Sequence, residues 1–328
     1  VFNDQTILIT GGTGSWGYEL VRQLVTKKPK EIRIFSRNES SQVEMKQKFE
    51  NNEKLSFIIG DIRDFEALNE ASIGVDSIFH LAALKHVPVC EDQPYEALKT
   101  NVLGTKNVID AALKQAVKNV IYISTDKAAD PSNFYGLSKA MGERLIIHAN
   151  LLKSKTKFVC VRGGNVLGTN GSVVPVFKKQ IAEKSKITIT DHQMTRFFLT
   201  IEDAIRLLFK ATYESKGGEI FVMKMPTCKI IDLAHVLIEA SGKEDVKIEM
   251  TGIRPGEKLH EVLFTEYESQ HTVYYDDEYY VILPTIDMKG LNEHYSQYKI
   301  VELSNYNSSE SLMTKAEIKE ILLRGGFI

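Results

Sequence analysis

Cysteine is scarce: three in 328 residues, at Cys90, Cys160 and Cys228, widely spaced and with no Cys-x-x-Cys pair. That spacing argues against a disulfide scaffold and a zinc site, and it suits a reducing cytoplasm. Long apolar runs are missing too. No stretch approaches the ~18 residues that a membrane-spanning helix needs, so no membrane partner is expected. Neither sign of charge dominates, since 41 Lys and Arg against 43 Asp and Glu leave a net charge of −2. Bulk electrostatics therefore gives no reason to expect nucleic acid or an anionic surface as a partner. A strand-like segment opens at Thr6, which leaves no room for a signal peptide, and the expected location is the cytoplasm. Repeats, low-complexity tracts and long linkers are absent from the sequence.

What the chain does contain is alternation. Short β-branched runs at 6–10, 31–36, 55–60, 75–82, 119–124 and 157–162 read as strands. Helical patterns lie between them, clearest over 134–152 and over 94–116, where Leu98, Val102, Val108 and Ala112 recur at helical spacing. Strands this apolar are buried on both faces, as in parallel sheets covered by helices. The pattern predicts an α/β fold with a Rossmann-type doubly wound parallel sheet over residues 1–163. The regularity stops near Gly163. Gly-rich loops and helices at 174–183, 201–215 and 315–324 predict a smaller C-terminal α/β substrate-binding domain over 164–328. A strand-like stretch at 219–224 is expected to return to the main sheet, and a Tyr-rich acidic patch follows at 274–280.

Directly after the first strand stands Gly11-Gly12-Thr13-Gly14-Ser15-Trp16-Gly17, leading into a helix over 18–26. Glycines at 11, 14 and 17 permit a tight turn, close approach of backbone to a pyrophosphate, and close helix–strand packing. The helix N-terminus then faces the phosphates with its partial positive charge. Three glycines alone are a weak signal, but the strand–loop–helix context makes this a dinucleotide site with Thr13, Ser15 and Trp16 in the loop. The second strand ends at Ser36-Arg37. An arginine in place of the acidic residue usual for NAD can pair with an adenosine 2′-phosphate, so NADP is expected. Asp61 and Ile62 are expected to flank the adenine, and Ala82 and Ala83 to let the cofactor lie against the backbone.

Tyr135-Gly136-Leu137-Ser138-Lys139 sets a phenol and an ammonium four residues apart on one helix face. A nearby cation lowers a tyrosine pKa, so Lys139 is expected to prepare Tyr135 to remove an alcohol proton as hydride leaves for nicotinamide. After a Rossmann loop and a fifth strand, this pattern identifies a short-chain dehydrogenase/reductase. The preceding strand ends Ser124-Thr125-Asp126-Lys127, with Thr125 placed to hydrogen-bond the reacting hydroxyl. Plain alcohol oxidation has no use for Asp126 and Lys127. An extra carboxyl and an extra amine suit further proton transfers, one protonating a leaving hydroxyl and the other removing an acidic C–H. An ion pair in a surface turn is the alternative that spacing leaves open.

Further segments run over nearly the full length. They are Thr10-Gly-Gly-Thr-Gly-Ser, Phe35-Ser-Arg, Gly60-Asp-Ile-Arg-Asp, Ala83-Leu-Lys-His-Val-Pro, Lys99-Thr-Asn, Ser124-Thr-Asp-Lys-Ala-Ala and Asn165-Val-Leu-Gly. Gly171-Ser-Val-Val-Pro, Ile189-Thr-Asp, Met194-Thr-Arg-Phe and Gly252-Ile-Arg-Pro-Gly-Glu-Lys-Leu-His-Glu complete the set. Together they resemble the UDP-N-acetylglucosamine 4,6-dehydratases that invert C5, extended short-chain dehydrogenases that open pseudaminic acid synthesis, and related capsule-sugar enzymes. The resemblance implies a hydro-lyase with bound NADP and UDP-N-acetylglucosamine as substrate. Tyr135, helped by Lys139 and Thr125, would deprotonate the C4 hydroxyl as hydride moves to the cofactor. Lys127 would take the acidified C5 proton, and Asp126 would protonate the departing C6 hydroxyl. Hydride would return to C6 and C5 would be reprotonated from the opposite face. The resemblance also implies Asn101 near the cofactor, and Lys85, Asn165, Val173, Val174, Pro175, Phe177, Arg196, Arg254 and Glu257 around the UDP-sugar. Arg254 would meet the diphosphate and Glu257 the ribose hydroxyls. A homo-oligomer is implied as well. His86, His192 and His260 read as structural polar residues, and no metal is expected.

Three departures stand out. Arg162-Gly163-Gly164-Asn165 replaces the family's Arg-Tyr-Gly-Asn, Thr169-Asn170-Gly171-Ser172 replaces Ser-Arg-Gly-Ser, and Ser41 stands at a family lysine near the 2′-phosphate. A phenol and a guanidinium missing beside the sugar raise a second expectation, release of the C5–C6 alkene before hydride acts at C6. Two rival readings need less of the sequence. A UDP-hexose C4 epimerase has no use for Asp126-Lys127, and a redox-sensing NADP-binding regulator has none for Tyr135 and Lys139.

Overall fold

The structure is a computed structural model that describes residues 2–152, 154–169, 171–243 and 245–328. Among these, the main sheet comprises β1 (Thr6–Thr10), β2 (Glu31–Ser36), β3 (Leu55–Ile59), β4 (Ser77–His80), β5 (Asn119–Ile123), β6 (Lys157–Arg162), β7 (Ile220–Met223), β8 (Thr272–Tyr274) and β9 (Tyr279–Ile282). Their spatial order is β8-β9-β7-β6-β5-β4-β1-β2-β3. Strands β1 to β7 pair in parallel, and β9 and β8 add antiparallel at one edge. Every residue of β1, Thr-Ile-Leu-Ile-Thr, is buried, so both of its faces must be covered by helices. The order reverses between β1 and β4, and the crevice beyond the strand ends at such a switch point is where ligands bind in these sheets.

The helix Ser15–Val25 buries Gly17, Leu20, Val21 and Leu24, a spacing of three and four that gives one apolar stripe. It packs against the helix Ile201–Glu214, whose first turn is capped by Thr200 accepting from the Asp203 N–H. The expected return of 219–224 is met, since β7 pairs with β6 from Ile220↔Cys160 to Val222↔Arg162. The Tyr-rich patch forms the turn between β8 and β9 and the start of β9. The line between 163 and 164 is thus crossed in space by one helix and three strands of the second half. Apart from the sheet, helices Val173–Lys184, Ile230–Ser241 and Lys315–Arg324 enclose a second apolar core beside a parallel pair, Lys186–Ile189 and Lys247–Met250.

The single helix expected over 94–116 is interrupted. A π-helical turn at Leu98–Leu103 joins the α-helical pieces Pro94–Ala97 and Gly104–Lys114. Such turns re-aim side chains. Here Asn101 points inward, accepting from the Leu84 N–H at 2.8 Å and donating to the Leu84 carbonyl and Ser138 Oγ, each at 2.9 Å.

Below the strand ends, buried His80 lies between Thr10 Oγ1, 2.7 Å from Nδ1, and Thr105 Oγ1, 3.0 Å from Nε2. Burial, aided by the Lys139 charge, pushes its imidazole from 6.5 down to about 3. In that interval the unfolded chain binds a proton that the folded chain does not, so stability is lost as pH falls. Denaturant titrations between pH 6.5 and about 3 should show this loss, and His80→Gln should flatten it. Equal slopes for the two proteins would remove His80 as its source.

Candidate active site

The carboxyl ends of β1, β4 and β5 open into a cleft of about 620 Å³, the size of a small-molecule site. Part of its wall is the loop from Gly11 to Gly17. Gly11 has a φ of 68°, and a Cβ there would stand 2.8 Å from the Ala82 backbone. At Gly17 a Cβ would lie 2.1 Å from the Gly12 carbonyl oxygen. Loop, strand end and helix close on one another as side chains would forbid. The Ser15–Val25 helix has Gly14 at its N-cap, no capping side chain and no acidic residue in its first turn. Its positive end therefore stands at the cleft, an arrangement that fits a pyrophosphate.

Gly11, Thr13, Gly14, Ser15, Trp16, Gly17, Ser36, Arg37, Asp61, Ile62, Ala82 and Ala83 all line this cleft. Arg37 is half exposed, with Nη1 3.8 Å from Asp61 Oδ2. Burial opposes the charge on Asp61, but hydrogen bonds from Arg63 and the Arg37 guanidinium hold its carboxyl below the usual range. Asn101, expected near the cofactor, is not among the lining residues. Leu84 and Ser138 take its side-chain amide, so it secures the segment after β4 and does not line the cleft.

Thr125, Asp126, Lys127, Tyr135 and Lys139 converge on the same cleft. Asp126 opens a single helical turn, and its N–H donates to the Gly163 carbonyl at 2.9 Å. Its Oδ1 accepts from Thr125 Oγ1 at 2.7 Å, from the Lys127 N–H at 2.9 Å and from Lys127 Nζ at 3.0 Å. Its Oδ2 is buried and has no hydrogen-bond partner among the described residues. Lys127 Nζ also lies 3.4 Å from Glu261 Oε1. Burial works against its charge and so does Arg196, but Asp126 and Glu261 prevail and hold Lys127 as an ammonium.

Tyr135, hydrogen-bonded to Thr125, is pushed up to about 12 by burial, and Lys127 is the cation that works the other way. Lys139 is not among the groups that act most on Tyr135. The Lys139 ammonium is held elsewhere, donating to the Ile123 carbonyl at 2.6 Å and lying 3.8 Å from the Tyr122 ring centre. Burial pushes Lys139 down to about 7 despite the nearby Glu143.

Of the residues expected around a sugar, Lys85 and Asn165 line the cleft, as does His86. Val174 and Phe177 pack in the second apolar core, on the inner face of their helix. Val173 and Pro175, on the same helix, are not among the lining residues. Arg196 is 7% exposed and donates to the Thr195 and Leu259 carbonyls at 2.6 and 3.2 Å. Its guanidinium is engaged by protein groups. Arg254 is exposed, and its N–H donates to Glu257 Oε2 at 3.3 Å. Their loop is fastened to the start of the Tyr135 helix, with Asn133 Nδ2 donating to the Gly256 carbonyl at 2.9 Å. A Cβ at Gly163 would meet Met223 Sδ at 3.3 Å, and Asn170 lies outside the described residues. Glu261 is the group that sequence reading passed over. It ends the Gly252–Glu261 segment, but nothing in its spacing connects it with Lys127.

Residues 7–283 match the family described as polysaccharide biosynthesis protein. The chain is 44% identical to an uncharacterized membrane protein of Methanocaldococcus jannaschii, over 98% of this chain and 96% of that one. It is 43% identical to a Campylobacter jejuni UDP-N-acetylglucosamine 4,6-dehydratase (inverting), over 90% and 88% of the two chains. A Rickettsia felis UDP-glucose 4-epimerase is 41% identical over 100% and 98%. The solved structure of Pen from Bacillus thuringiensis, 39% identical, superposes with a TM-score of 0.92 over 98% of this chain and 99% of that one. No helix among the described residues is long and apolar enough to cross a membrane. Fold, cleft and relatives lead to one conclusion: the chain belongs to the polysaccharide biosynthesis protein family, on the Rossmann-type fold of short-chain dehydrogenases/reductases.

Proposed function

We propose that the protein is an NADP-dependent UDP-N-acetylglucosamine 4,6-dehydratase that inverts C5, a cytoplasmic hydro-lyase serving surface-glycan synthesis. The observation that carries this reading is the Asp126 carboxylate, one oxygen gripped by three donors and the other bare. A 4-epimerase, the activity named for the Rickettsia relative, needs a tyrosine, a lysine and a hydroxyl residue but no such acid–amine pair.

The Gly11–Gly17 loop, Arg37, Asp61 and Ala82 suit a nicotinamide dinucleotide, which when bound supplies a hydride acceptor for C4 and a donor for C6. The chain's own groups move the protons. Tyr135, bonded to Thr125, takes the C4 hydroxyl proton, and the Lys127 ammonium favours the phenolate this requires. With C4 a ketone, the C5–H becomes acidic. Lys127 passes a proton across 3.0 Å to Asp126, which produces an amine and a carboxylic acid together. The amine takes the C5 proton, the C5–C6 π bond forms, the C6–O bond breaks, and the Asp126 proton leaves with the hydroxyl as water. Lys127 is then an ammonium and Asp126 a carboxylate again; once hydride has reached C6, a proton adds to C5 from the opposite face and Tyr135 releases the one it took from C4, so the protons balance. Lys85 and Asn165 are the proposed sugar contacts, with Arg254 on the diphosphate and Glu257 on the ribose.

The mass of the nucleotide-sugar product tests the assignment: loss of one water supports a dehydratase, whereas an unchanged mass means an epimerase. Arg37→Ala should weaken NADP roughly tenfold or more and leave NAD nearly unaffected. Equal losses in titrations of both dinucleotides would remove the 2′-phosphate role.

A further inference from the structure

Glu261 brings a second carboxylate to Lys127, beside that of Asp126. It precedes the strand Val262–Phe264 and is 3% exposed. Its Oε1 stands 3.4 Å from Lys127 Nζ and 3.7 Å from Arg196 Nε. The backbone holds it there, its N–H donating to Ser308 Oγ at 2.9 Å, which in turn bonds Thr195 Oγ1 at 2.7 Å. A carboxylate so buried persists as an anion only when paired. Two cations pair this one, and Lys127 lies between two carboxylates.

We infer that Glu261 is a positioning residue of the elimination, holding Lys127 Nζ in place while it is an amine and stabilising the ammonium formed when it takes the substrate's C5 proton. The inference rests on the dehydratase reading. Asp126 alone cannot do both tasks. Once Asp126 has received the Lys127 proton it is neutral and its attraction for the amine is gone. Glu261 remains a carboxylate 3.4 Å from Nζ and makes the amine a stronger base. The Asp126 oxygen without a partner is left for the departing hydroxyl.

The groups around Lys127 come from four places. Asp126 is on its own turn, Tyr135 on the following helix, Glu261 before the Val262–Phe264 strand and Arg196 on the strand Thr195–Leu199. Asp126 and Glu261 favour the ammonium and Arg196 opposes it. Glu257 faces Arg196 at 3.6 Å, and His260 Nδ1 bonds Thr195 Oγ1 at 2.8 Å. Removing the Glu261 charge therefore makes the Lys127 ammonium easier to deprotonate.

Glu261→Gln keeps the shape and removes the charge. Solvent deuterium incorporation at C5 of UDP-N-acetylglucosamine should fall roughly tenfold or more, and the alkaline limb of its pH profile should move to lower pH. NADP content should persist, and reduced nicotinamide should still appear on substrate addition, since Tyr135 keeps its bond to Thr125 and Lys127 keeps Asp126. Glu261→Asp, which draws the charge back by one methylene, should give an intermediate rate and limb. Unchanged exchange with an unmoved limb in Glu261→Gln would overturn the inference, and so would the same result in Glu261→Asp should the Gln variant fail to fold. If the wild-type protein neither places deuterium at C5 nor forms a C5–C6 alkene, the dehydratase reading itself has failed, an outcome separate from wild-type elimination that survives loss of the charge.

Discussion

Asp126→Asn should lower the elimination rate by roughly 10²–10⁴-fold while leaving the cofactor bound, the loss expected when a general acid is removed. The amide can still accept from Thr125 Oγ1 and the Lys127 N–H, which hold the turn at 2.7 and 2.9 Å. It cannot carry the proton that must leave with the C6 hydroxyl. The substituted group would also strand Lys127, which loses its nearest proton acceptor and remains an ammonium under the influence of Glu261. Acid and base would thus fail together. Oxidation at C4 depends on Tyr135 and Thr125 and should survive, so reduced nicotinamide should accumulate after substrate is added. Full water elimination in this variant would contradict the proton path from Lys127 to Asp126.

Arg162→Met should cost about 3–5 kcal/mol of unfolding free energy, the loss seen when one partner of a buried ionic cluster is removed. Arg162 is 1% exposed. It bonds Glu143 at 3.0 and 2.6 Å, Glu268 at 3.0 Å through two nitrogens, and the Leu263 carbonyl at 2.8 Å. These partners lie on the Tyr135 helix and on the segment that follows Glu261. One guanidinium therefore ties β6, the catalytic helix and the carrier of Glu261 together. Without it, the buried Glu143 carboxylate and the partly buried Glu268 carboxylate lose their shared cation. Adding Glu143→Leu to Arg162→Met should restore part of the loss, because an apolar group costs less there than an unpaired charge. Urea titration measures both effects, and a loss within about 0.5 kcal/mol, typical of surface changes, would contradict them.

The limits of β1, β2 and β6 are legible because each apolar run is bounded by Gly, Pro, Ser or charged residues that end a strand. The run at 75–82 promises more than β4 delivers. Ser77–His80 pairs, while Leu81 and Ala82 turn toward the Gly11 loop. Apolar periodicity over 94–116 conceals the π-helical turn, since one inserted residue barely alters the pattern yet re-aims Asn101. The nucleotide loop and the Tyr135–Lys139 pair are local, so residues adjacent in sequence stay adjacent in space. Spacing could not say which partner Lys139 would choose, and the Ile123 carbonyl holds it. Val174 and Phe177 were expected at the sugar because their segment resembles a sugar loop, yet a helix has an inner face and these two occupy it. The Lys127–Glu261 contact joins segments brought together only by the complete fold, and a single sequence carries no local mark of it.

The central claim is that Asp126 and Lys127 remove water across C5 and C6. Proton NMR of the purified protein with UDP-N-acetylglucosamine in D₂O, without added reductant, tests it most directly. The account predicts deuterium at C5, inversion there, and a new C6 methyl signal. Vinyl signals in place of the methyl would show the same elimination with the alkene released before C6 is reduced. An intact C6 hydroxymethyl group on an isomerised sugar, with C5 still bearing its original proton, would contradict the account.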